Sequence, residues 1–221
     1  MPRHLRPMIP ADLDLIPEPC ADCVFWESSL DDFMSADHHG DRAETKHRWA
    51  TAMTRQWGYC GVIATDGREL LGYATVAPAR LVPRLGALGT TPFTPSAAVL
   101  LTTRVVEPYR GRGLGRQMIQ SVAGLMVRRD VRAIDAVGSY GKGPSCLPPV
   151  GFLQQVGFAV VRPHPMSPRL RMDLSATARW RPDLGAAWSR LTELIPQPVT
   201  GPEPARRETR SVAAHGAGPV S

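Results

Sequence analysis

A glycine-rich turn joins a strong strand to the most amphipathic helix of the chain. Residues 98–106 are rich in β-branched side chains and predict a strand. Apolar side chains recur at helical spacing over residues 113–129, which predicts a helix with one buried face. Between them lies Arg110-x-x-Gly113-x-Gly115. Glycines let a backbone turn sharply and approach a ligand, and the free N–H groups of a helix N-terminus attract anions. The turn therefore predicts a pyrophosphate site.

Spacing excludes two other phosphate-binding motifs. A P-loop requires Gly-Lys-Ser/Thr after its glycines, and the turn has no such sequence. A dinucleotide-binding Gly-x-Gly-x-x-Gly pattern that starts at Gly111 fails because its last position is Arg116. That pattern also needs an acid about 20 residues on, at a strand end. Asp135 lies near that distance but inside a predicted strand.

The elements around the turn predict a mixed α/β domain. A helix over residues 43–57 precedes a hairpin of residues 60–65 and 69–76, whose turn is Asp66-Gly67. Residues 77–97 contain four prolines and predict a long loop. The later predicted elements are strands over 131–137, 158–162 and 169–174 and helices over 150–156 and 178–195.

The end of the chain has a different composition. The last 25 residues contain four prolines and three glycines and few large apolar side chains. Such a segment cannot bury enough surface to offset the entropy of ordering. We expect one domain over residues 1–196 and a disordered tail over 197–221.

The net charge of +6 suggests an anionic partner, but this charge is unevenly distributed. Residues 104–132 carry seven arginines and two acids, whereas residues 11–32 carry seven acids and no base. The positive charge therefore surrounds the glycine-rich turn, and nucleic-acid-binding motifs are not found, so no nucleic-acid partner is expected. No apolar run approaches the roughly 20 residues of a membrane span, and the N-terminus lacks a signal-peptide pattern. We expect a cytoplasmic protein with no membrane partner.

Two motifs carry a resemblance to a known family. Arg110-x-x-Gly113-x-Gly115 after a β-strand resembles the acetyl-coenzyme A signature of the GNAT superfamily of N-acetyltransferases. The sequence Phe152-Leu-Gln-Gln-Val-Gly157-Phe158 resembles the late helix-to-strand motif of that superfamily. The stretch Cys20–Glu27 also resembles the N-terminus of a group of uncharacterised actinobacterial GNAT proteins. The resemblance implies a mixed, mostly antiparallel sheet flanked by helices, with an N-terminal cysteine-containing segment and a C-terminal accessory helix.

The resemblance also implies an activity, the direct transfer of an acetyl group from acetyl-CoA to an amine. In this family the signature strand holds the pantetheine arm and polarises the thioester, and by position Thr103, Arg104 and Val105 would do so here. The residues that would hold the pyrophosphate are Arg110, Gly111, Arg112, Gly113, Leu114, Gly115 and Arg116. The alternative is a non-catalytic GNAT-like module that binds CoA or a partner protein. The acceptor and the oligomeric state remain open.

The usual proton-transfer residues of the family are not at their expected positions. Leu153 stands where many members have a tyrosine acid, and Thr102, Thr103 and Arg104 occupy the part of the strand where others have a glutamate base. The substitutes that the sequence offers are Tyr140 and Cys146 as acid and Glu27 as base. Otherwise a water chain moves the protons, or the chain is a poor catalyst.

Cys20 and Cys23 have the spacing of zinc ligands, but one C-x-x-C is half of a zinc site. Cys60, Cys146 or His38-His39 would have to complete it, and none forms a second matched pair. We therefore expect no metal site. Structural zinc at Cys20 and Cys23 is the alternative, and two packed thiols are the simplest interpretation.

Overall fold

The computed structural model describes residues 4–34, 42–141 and 146–177. Within these ranges, seven strands form one sheet in the order β1-β2-β3-β4-β5-β7-β6. The strands are β1 (His4–Met8), β2 (Gly61–Asp66), β3 (Glu69–Pro78), β4 (Ala98–Val105), β5 (Ala133–Val137), β6 (Ala159–Arg162) and β7 (Arg169–Asp173). Neighbouring strands are antiparallel except for β4 and β5, which are parallel. The predicted mixed, mostly antiparallel sheet is confirmed.

Five α-helices accompany the sheet in the described part of the chain. They are α1 (Leu30–Met34), α2 (Arg42–Trp57), α3 (Leu114–Val127), α4 (Val150–Gln155) and α5 (Leu174–Thr177). The apolar stripe of α3 packs on β2, β3 and β4, as its periodicity predicts. No helix among the described residues is long and apolar enough to cross a membrane. The predicted accessory helix over 178–195 and the predicted tail over 197–221 lie outside these residues.

Three local predictions need correction. Strand β1 was not predicted because Pro7 interrupts its pattern, but β1 is an edge strand, where a proline is tolerated. The hairpin turn falls on Gly67 and Arg68, one residue later than expected, because Asp66 still pairs with Glu69. The predicted loop is shorter, since β3 runs to Pro78 and the 3-10 helices Ala79–Leu81 and Pro83–Ala87 follow it.

The acid inside β5 has a structural partner. Asp135 is fully buried, and its carboxylate accepts two hydrogen bonds from the Arg171 guanidinium of β7, at 2.7 and 3.0 Å. A buried carboxylate needs such a partner, because an unpaired charge in the interior is very costly. Asp135 therefore ties two strands together inside the sheet, which agrees with the exclusion of a dinucleotide-binding motif.

Candidate functional site

Strand β4 has two different environments along its length. Its first three residues, Ala98 to Leu100, pair with β5 and are almost wholly buried. Beyond Leu100 this pairing stops, and the register with β3 shifts between Thr75 and Val76, which marks a bulge in β4. Among the described residues, no strand is hydrogen-bonded to the β5 side of residues 101–105. We call this opening the β4–β5 gap.

The backbone groups of β4 alternate between β3 and this gap. The Val106 N–H donates to the Leu71 carbonyl at 2.9 Å, which fixes the phase of the antiparallel ladder. Because such ladders bond alternate residues, Arg104 directs its N–H and C=O to β3, whereas Thr103 and Val105 direct theirs to the gap. The Thr103 hydroxyl is buried without a hydrogen-bond partner in the described part of the chain. The gap therefore offers polar groups to a ligand.

The glycine turn (residues 110–116) follows β4 and leads into α3. Gly111 and Gly113 have φ values of 71° and 79°, which strain any residue with a side chain. A Cβ at either position would meet no atom within 4 Å, so both glycines face open space. Gly113 is the N-cap of α3, and no side chain caps this helix end. The N–H groups of residues 114–116 thus have no intrahelical partner and are available to an anion.

Two arginines of the glycine turn hold it against neighbouring elements. The Arg110 Nε donates to the Val105 carbonyl at 3.0 Å. The Arg116 Nη2 donates to the Gln155 carbonyl at the end of α4, at 2.9 Å. In this arrangement the helix end presents backbone donors, while the Arg116 side chain is occupied with α4.

The late motif packs on the same turn. A Cβ on Gly115 would lie 3.0 Å from the Phe152 ring, so glycine is what allows α3 and α4 to approach this closely. Leu153, the next residue of α4, is fully buried and carries no proton donor. The helix α4 therefore supports the turn but offers no acid at this position.

A polar cluster lies on the sheet face that carries Arg104. Tyr73 of β3 is directly opposite Arg104, so the two side chains share this face. The Arg104 Nη1 donates to the Cys20 sulfur at 3.1 Å. Burial raises the pKa of Tyr73, and a hydrogen bond to Cys20 raises it further. A Cβ on Gly72, the residue before Tyr73, would lie 3.2 Å from the Met118 side chain of α3, so the side chain of Tyr73 and the cluster lie on the opposite face of the sheet.

Two further thiols meet beside this cluster. The sulfurs of Cys23 and Cys146 are 3.4 Å apart. The hydrogen bond from Cys146 lowers the pKa of Cys23 to about 6, and the Phe25 N–H and the charges of Lys46 and Arg42 act in the same direction. The same bond raises the pKa of Cys146. Cys23 is therefore the more readily ionised thiol of the pair, and Cys146 is the one that retains its proton more strongly.

Lys46 of α2 anchors the cysteine segment (residues 20–33). Its Nζ donates to the carbonyls of Cys20 and Cys23, both at 2.7 Å, and lies 3.6 Å from the Glu27 carboxylate. The Glu27 side chain is only 6% exposed, and this burial raises its pKa. Lys46 was missed as a site residue, although its place on the face of α2 shared with Ala50 indicates that it is buried.

Arg84 binds the cysteine segment from the other side. This residue is 3% exposed, and its Nε donates to the Phe25 carbonyl at 2.8 Å. Its guanidinium lies over the rings of Phe25 and Phe33, at 4.9 and 4.6 Å from their centroids. The connection between β3 and β4 therefore helps to position the cysteines, a contact that no local pattern predicts.

The three proposed proton-transfer residues lie in different surroundings. Glu27 and Cys146 both neighbour Cys23, since Cys146 contacts its sulfur and the charges of Cys23 and Glu27 interact. Tyr140 is 56% exposed on the loop after β5, in which residues 142–145 lie outside the described ranges. Two of the three candidates, Glu27 and Cys146, therefore lie together beside Cys23, and Tyr140 is not part of this group.

The C-x-x-C thiols contact different partners. Cys20 accepts from Arg104 on β4, whereas Cys23 contacts Cys146. Within the described residues, no group of three or more His, Cys, Asp or Glu side chains is arranged to hold a metal ion. The thiols are instead integrated into the packing of the cysteine segment.

A groove of about 370 Å³ lies in the connection between β3 and β4. Its lining is formed by Ala79, Arg80, Leu85, Gly86, Thr91, Pro92, Phe93 and Pro95. None of the gap residues, glycine-turn residues or thiols contributes to this lining. The groove is therefore separate from the polar features described above.

The thiols are expected to react with iodoacetamide in a fixed order. Because its pKa is about 6, Cys23 should be alkylated half-maximally near pH 6 and rapidly at pH 7.5. Cys60 is the internal control, since burial raises its pKa to about 12. Mass spectrometry of peptides from the briefly treated folded protein measures both rates. Equal labelling of Cys23 and Cys60 would contradict this assignment.

The comparisons with known proteins agree with these features. Residues 24–143 match the model of the acetyltransferase (GNAT) family. No curated protein matches the sequence significantly. Among solved structures, the PaiA N-acetyltransferase of Thermoplasma acidophilum, in complex with coenzyme A, superimposes with a TM-score of 0.51 at 13% identity, over 78% of this chain and 99% of its own.

Two more solved structures have the same fold. YncA from Salmonella typhimurium, with its cofactor acetyl-CoA, has a TM-score of 0.51 at 16% identity, over 78% of this chain and 94% of its own. An N-acetyltransferase from Staphylococcus aureus Mu50 has a TM-score of 0.50 at 13% identity, over 79% of this chain and 99% of its own. At these identities the likeness establishes the architecture.

Proposed function

Since the chain belongs to the GNAT family of acetyltransferases, we propose that it transfers an acetyl group from acetyl-CoA to an amine. The observation that carries this proposal is the uncapped N-terminus of α3 beside the β4–β5 gap. An anion-binding helix end next to a strand that directs the peptide groups of Thr103 and the Val105 N–H to an open gap suits a ligand that has a pyrophosphate at one end and an amide-rich arm at the other. Acetyl-CoA has this shape.

The residues that would bind acetyl-CoA divide into two groups. The pyrophosphate would lie on the N–H groups of residues 114–116, approached across Gly111 and Gly113. The pantetheine arm would lie along Thr103 and Val105, whose peptide groups are directed to the gap, where the Val105 carbonyl already accepts a hydrogen bond from Arg110. Arg104, whose peptide groups are directed to β3, would instead act through its side chain on the opposite face. Arg110, Arg112 and Arg116 add positive charge around the phosphates.

The acceptor amine would approach on the face that carries Arg104. A neutral amine is the nucleophile, so a base must take a proton and an acid must serve the departing thiolate. We propose Glu27 as the base, since its raised pKa makes the buried carboxylate a better proton acceptor than a solvated one. Cys146, whose raised pKa keeps its proton at neutral pH, or the more exposed Tyr140 would be the acid.

Binding and turnover are tested separately. Isothermal titration calorimetry with CoA tests binding, and a thiol-release assay with acetyl-CoA and a panel of amines tests transfer. We expect binding and amine-dependent release. Failure of the folded protein to bind CoA would refute the proposal. Binding without turnover across the panel would favour the alternative, a non-catalytic CoA-binding module. The buried Leu153, which has no proton to donate, is consistent with that alternative.

Variants E27Q, C146S and Y140F test the proton-transfer roles. Loss of a general base or acid is expected to lower kcat by about 100-fold or more, with CoA affinity unchanged, because none of these side chains belongs to the glycine turn. The matched control is E18Q, which removes an exposed acid of the same acidic stretch and should leave kcat unchanged. A variant that retains full kcat removes its residue from the mechanism.

A further inference from the structure

Cys23 and Cys146 are 123 positions apart in the chain, and yet their sulfurs are 3.4 Å apart. Both residues are half-buried, so small oxidants can reach them, whereas Cys60 is 1% exposed. A disulfide has an S–S length of about 2.05 Å, so the sulfurs need to approach by little more than 1 Å. Each lies in a segment outside the sheet, Cys23 in the cysteine segment and Cys146 in the connection between β5 and α4.

We propose that Cys23 and Cys146 form a redox-active dithiol that hydrogen peroxide closes to a disulfide. The Cys23 thiolate attacks one peroxide oxygen, the O–O bond breaks, and the product is a sulfenic acid plus hydroxide, which takes a proton to become water. The Cys146 sulfur then attacks the Cys23 sulfur and loses its proton, and the sulfenic oxygen leaves as a second water. Two electrons pass from the two sulfurs to the peroxide.

The surroundings of the pair assign the two roles. Cys23 is close to the cations Lys46 and Arg42, and its sulfur is 3.4 Å from that of Cys146, so Cys23 is the sulfur better placed to hold the negative charge that attack on a peroxide requires. Glu27, the anion of this cluster, is itself balanced by Lys46 at 3.6 Å. Cys146 carries the proton and is already in contact with the sulfur that it must attack, which is the position of a resolving thiol.

Cys20 has a different role despite its C-x-x-C spacing from Cys23. Its sulfur accepts a hydrogen bond from Arg104 at 3.1 Å. It also accepts a hydrogen bond from the Tyr73 hydroxyl. Cys20 is also 7% exposed, and its carbonyl is held by Lys46. Formation of a Cys20–Cys23 disulfide would break these contacts. The geometry therefore selects the bond between distant segments over the bond within the motif.

Such a disulfide would join the cysteine segment to the connection after β5 on the face where we place the acceptor. This consequence rests on the proposed function, but disulfide formation does not. Oxidation is expected to lower acetyl transfer and to leave CoA affinity unchanged, because the glycine turn contains no cysteine. Reduction by dithiothreitol should restore transfer.

The test treats the reduced, folded protein with one equivalent of hydrogen peroxide. We expect an intact mass lower by about 2 Da and a Cys23–Cys146 peptide after digestion, with Cys20 and Cys60 still alkylatable. In C146S, dimedone should trap a sulfenic acid at Cys23, and in C23S no disulfide should form. C20S is the matched control and should still form the bond. Near-UV circular dichroism before treatment checks that each variant is folded.

Three results would overturn the proposal. One is a Cys20–Cys23 disulfide as the main product. Another is preferential trapping of a sulfenic acid at Cys146. The third is a folded protein whose four thiols remain reduced at peroxide levels that oxidise free glutathione. Each result is read by mass, so a protein that bound no CoA would leave this test intact.

Discussion

Replacing Gly113 by alanine is expected to weaken CoA binding by about tenfold or more while the protein stays folded. At a φ of 79°, a side chain costs about 1–2 kcal/mol, and the turn can relieve this strain only by moving. Such a movement displaces the N–H groups of residues 114–116 from the phosphates, and each 1.4 kcal/mol lost is a factor of ten in affinity. The new Cβ meets no atom within 4 Å, so the core is not disturbed. Calorimetry with CoA measures the change.

The hairpin between β2 and β3 supplies a matched control. Gly67 has a φ of 59°, and its Cβ would also meet nothing within 4 Å. G67A therefore introduces a comparable strain in an open turn that is not part of the glycine turn. We expect both variants to lose similar stability and only G113A to lose affinity. Equal affinity losses in the two variants, or none in G113A, would count against a phosphate site at the end of α3.

Replacing Lys46 by methionine is expected to lower the free energy of unfolding by about 3–5 kcal/mol. The ammonium group is buried beside Glu27, and removing one partner of a buried pair leaves the other charge without compensation. The carbonyls of Cys20 and Cys23 also lose their donor. Methionine keeps the volume and the flexible stem, so the loss is mainly polar. Urea unfolding followed by tryptophan fluorescence gives the value.

The control for K46M is R48M on the same helix. The Arg48 side chain is 63% exposed and pairs with Glu44 at 3.9 Å, a surface interaction that contributes little. We expect R48M to change stability by less than about 0.5 kcal/mol. In the double variant K46M/E27Q, part of the loss should return because the uncompensated carboxylate is gone. Full recovery would mean that the two carbonyl bonds add nothing, contrary to the geometry.

Features determined by neighbouring residues could be predicted from the sequence. The helix α3 follows from its periodicity, and the glycine turn from the spacing of Arg110, Gly113 and Gly115 between a strand and a helix. The edge strand β1 was not predicted, because a proline such as Pro7 generally argues against a strand. Only the order of strands in the sheet shows that this position tolerates it. Local sequence patterns therefore predict individual helices, strands and turns. Whether an unfavourable residue such as Pro7 is tolerated depends on the position of its strand in the sheet.

The polar cluster could not be predicted, because each of its contacts joins distant parts of the chain. Arg104 reaches Cys20 across 84 positions, and Arg84 reaches Phe25 across 59. The C-x-x-C spacing was interpreted as two packed thiols, with shared zinc as the alternative, and it did not indicate that tertiary contacts give each cysteine a different partner. Candidate residues such as Glu27 were recognisable by chemical type alone, and their pairing with Lys46 was not.

The anchoring of the cysteine segment has a consequence for the order in which the chain folds. Between Cys20 and Phe33 the only regular element is the start of the short helix α1, and the segment is held by Lys46 of α2 and by Arg84 from the connection after β3. Contacts of this range form only once the distant elements are in place, because loop closure costs entropy before it yields contacts. The segment should therefore be among the last parts to assemble and the first to open locally, while the sheet beneath it stays intact.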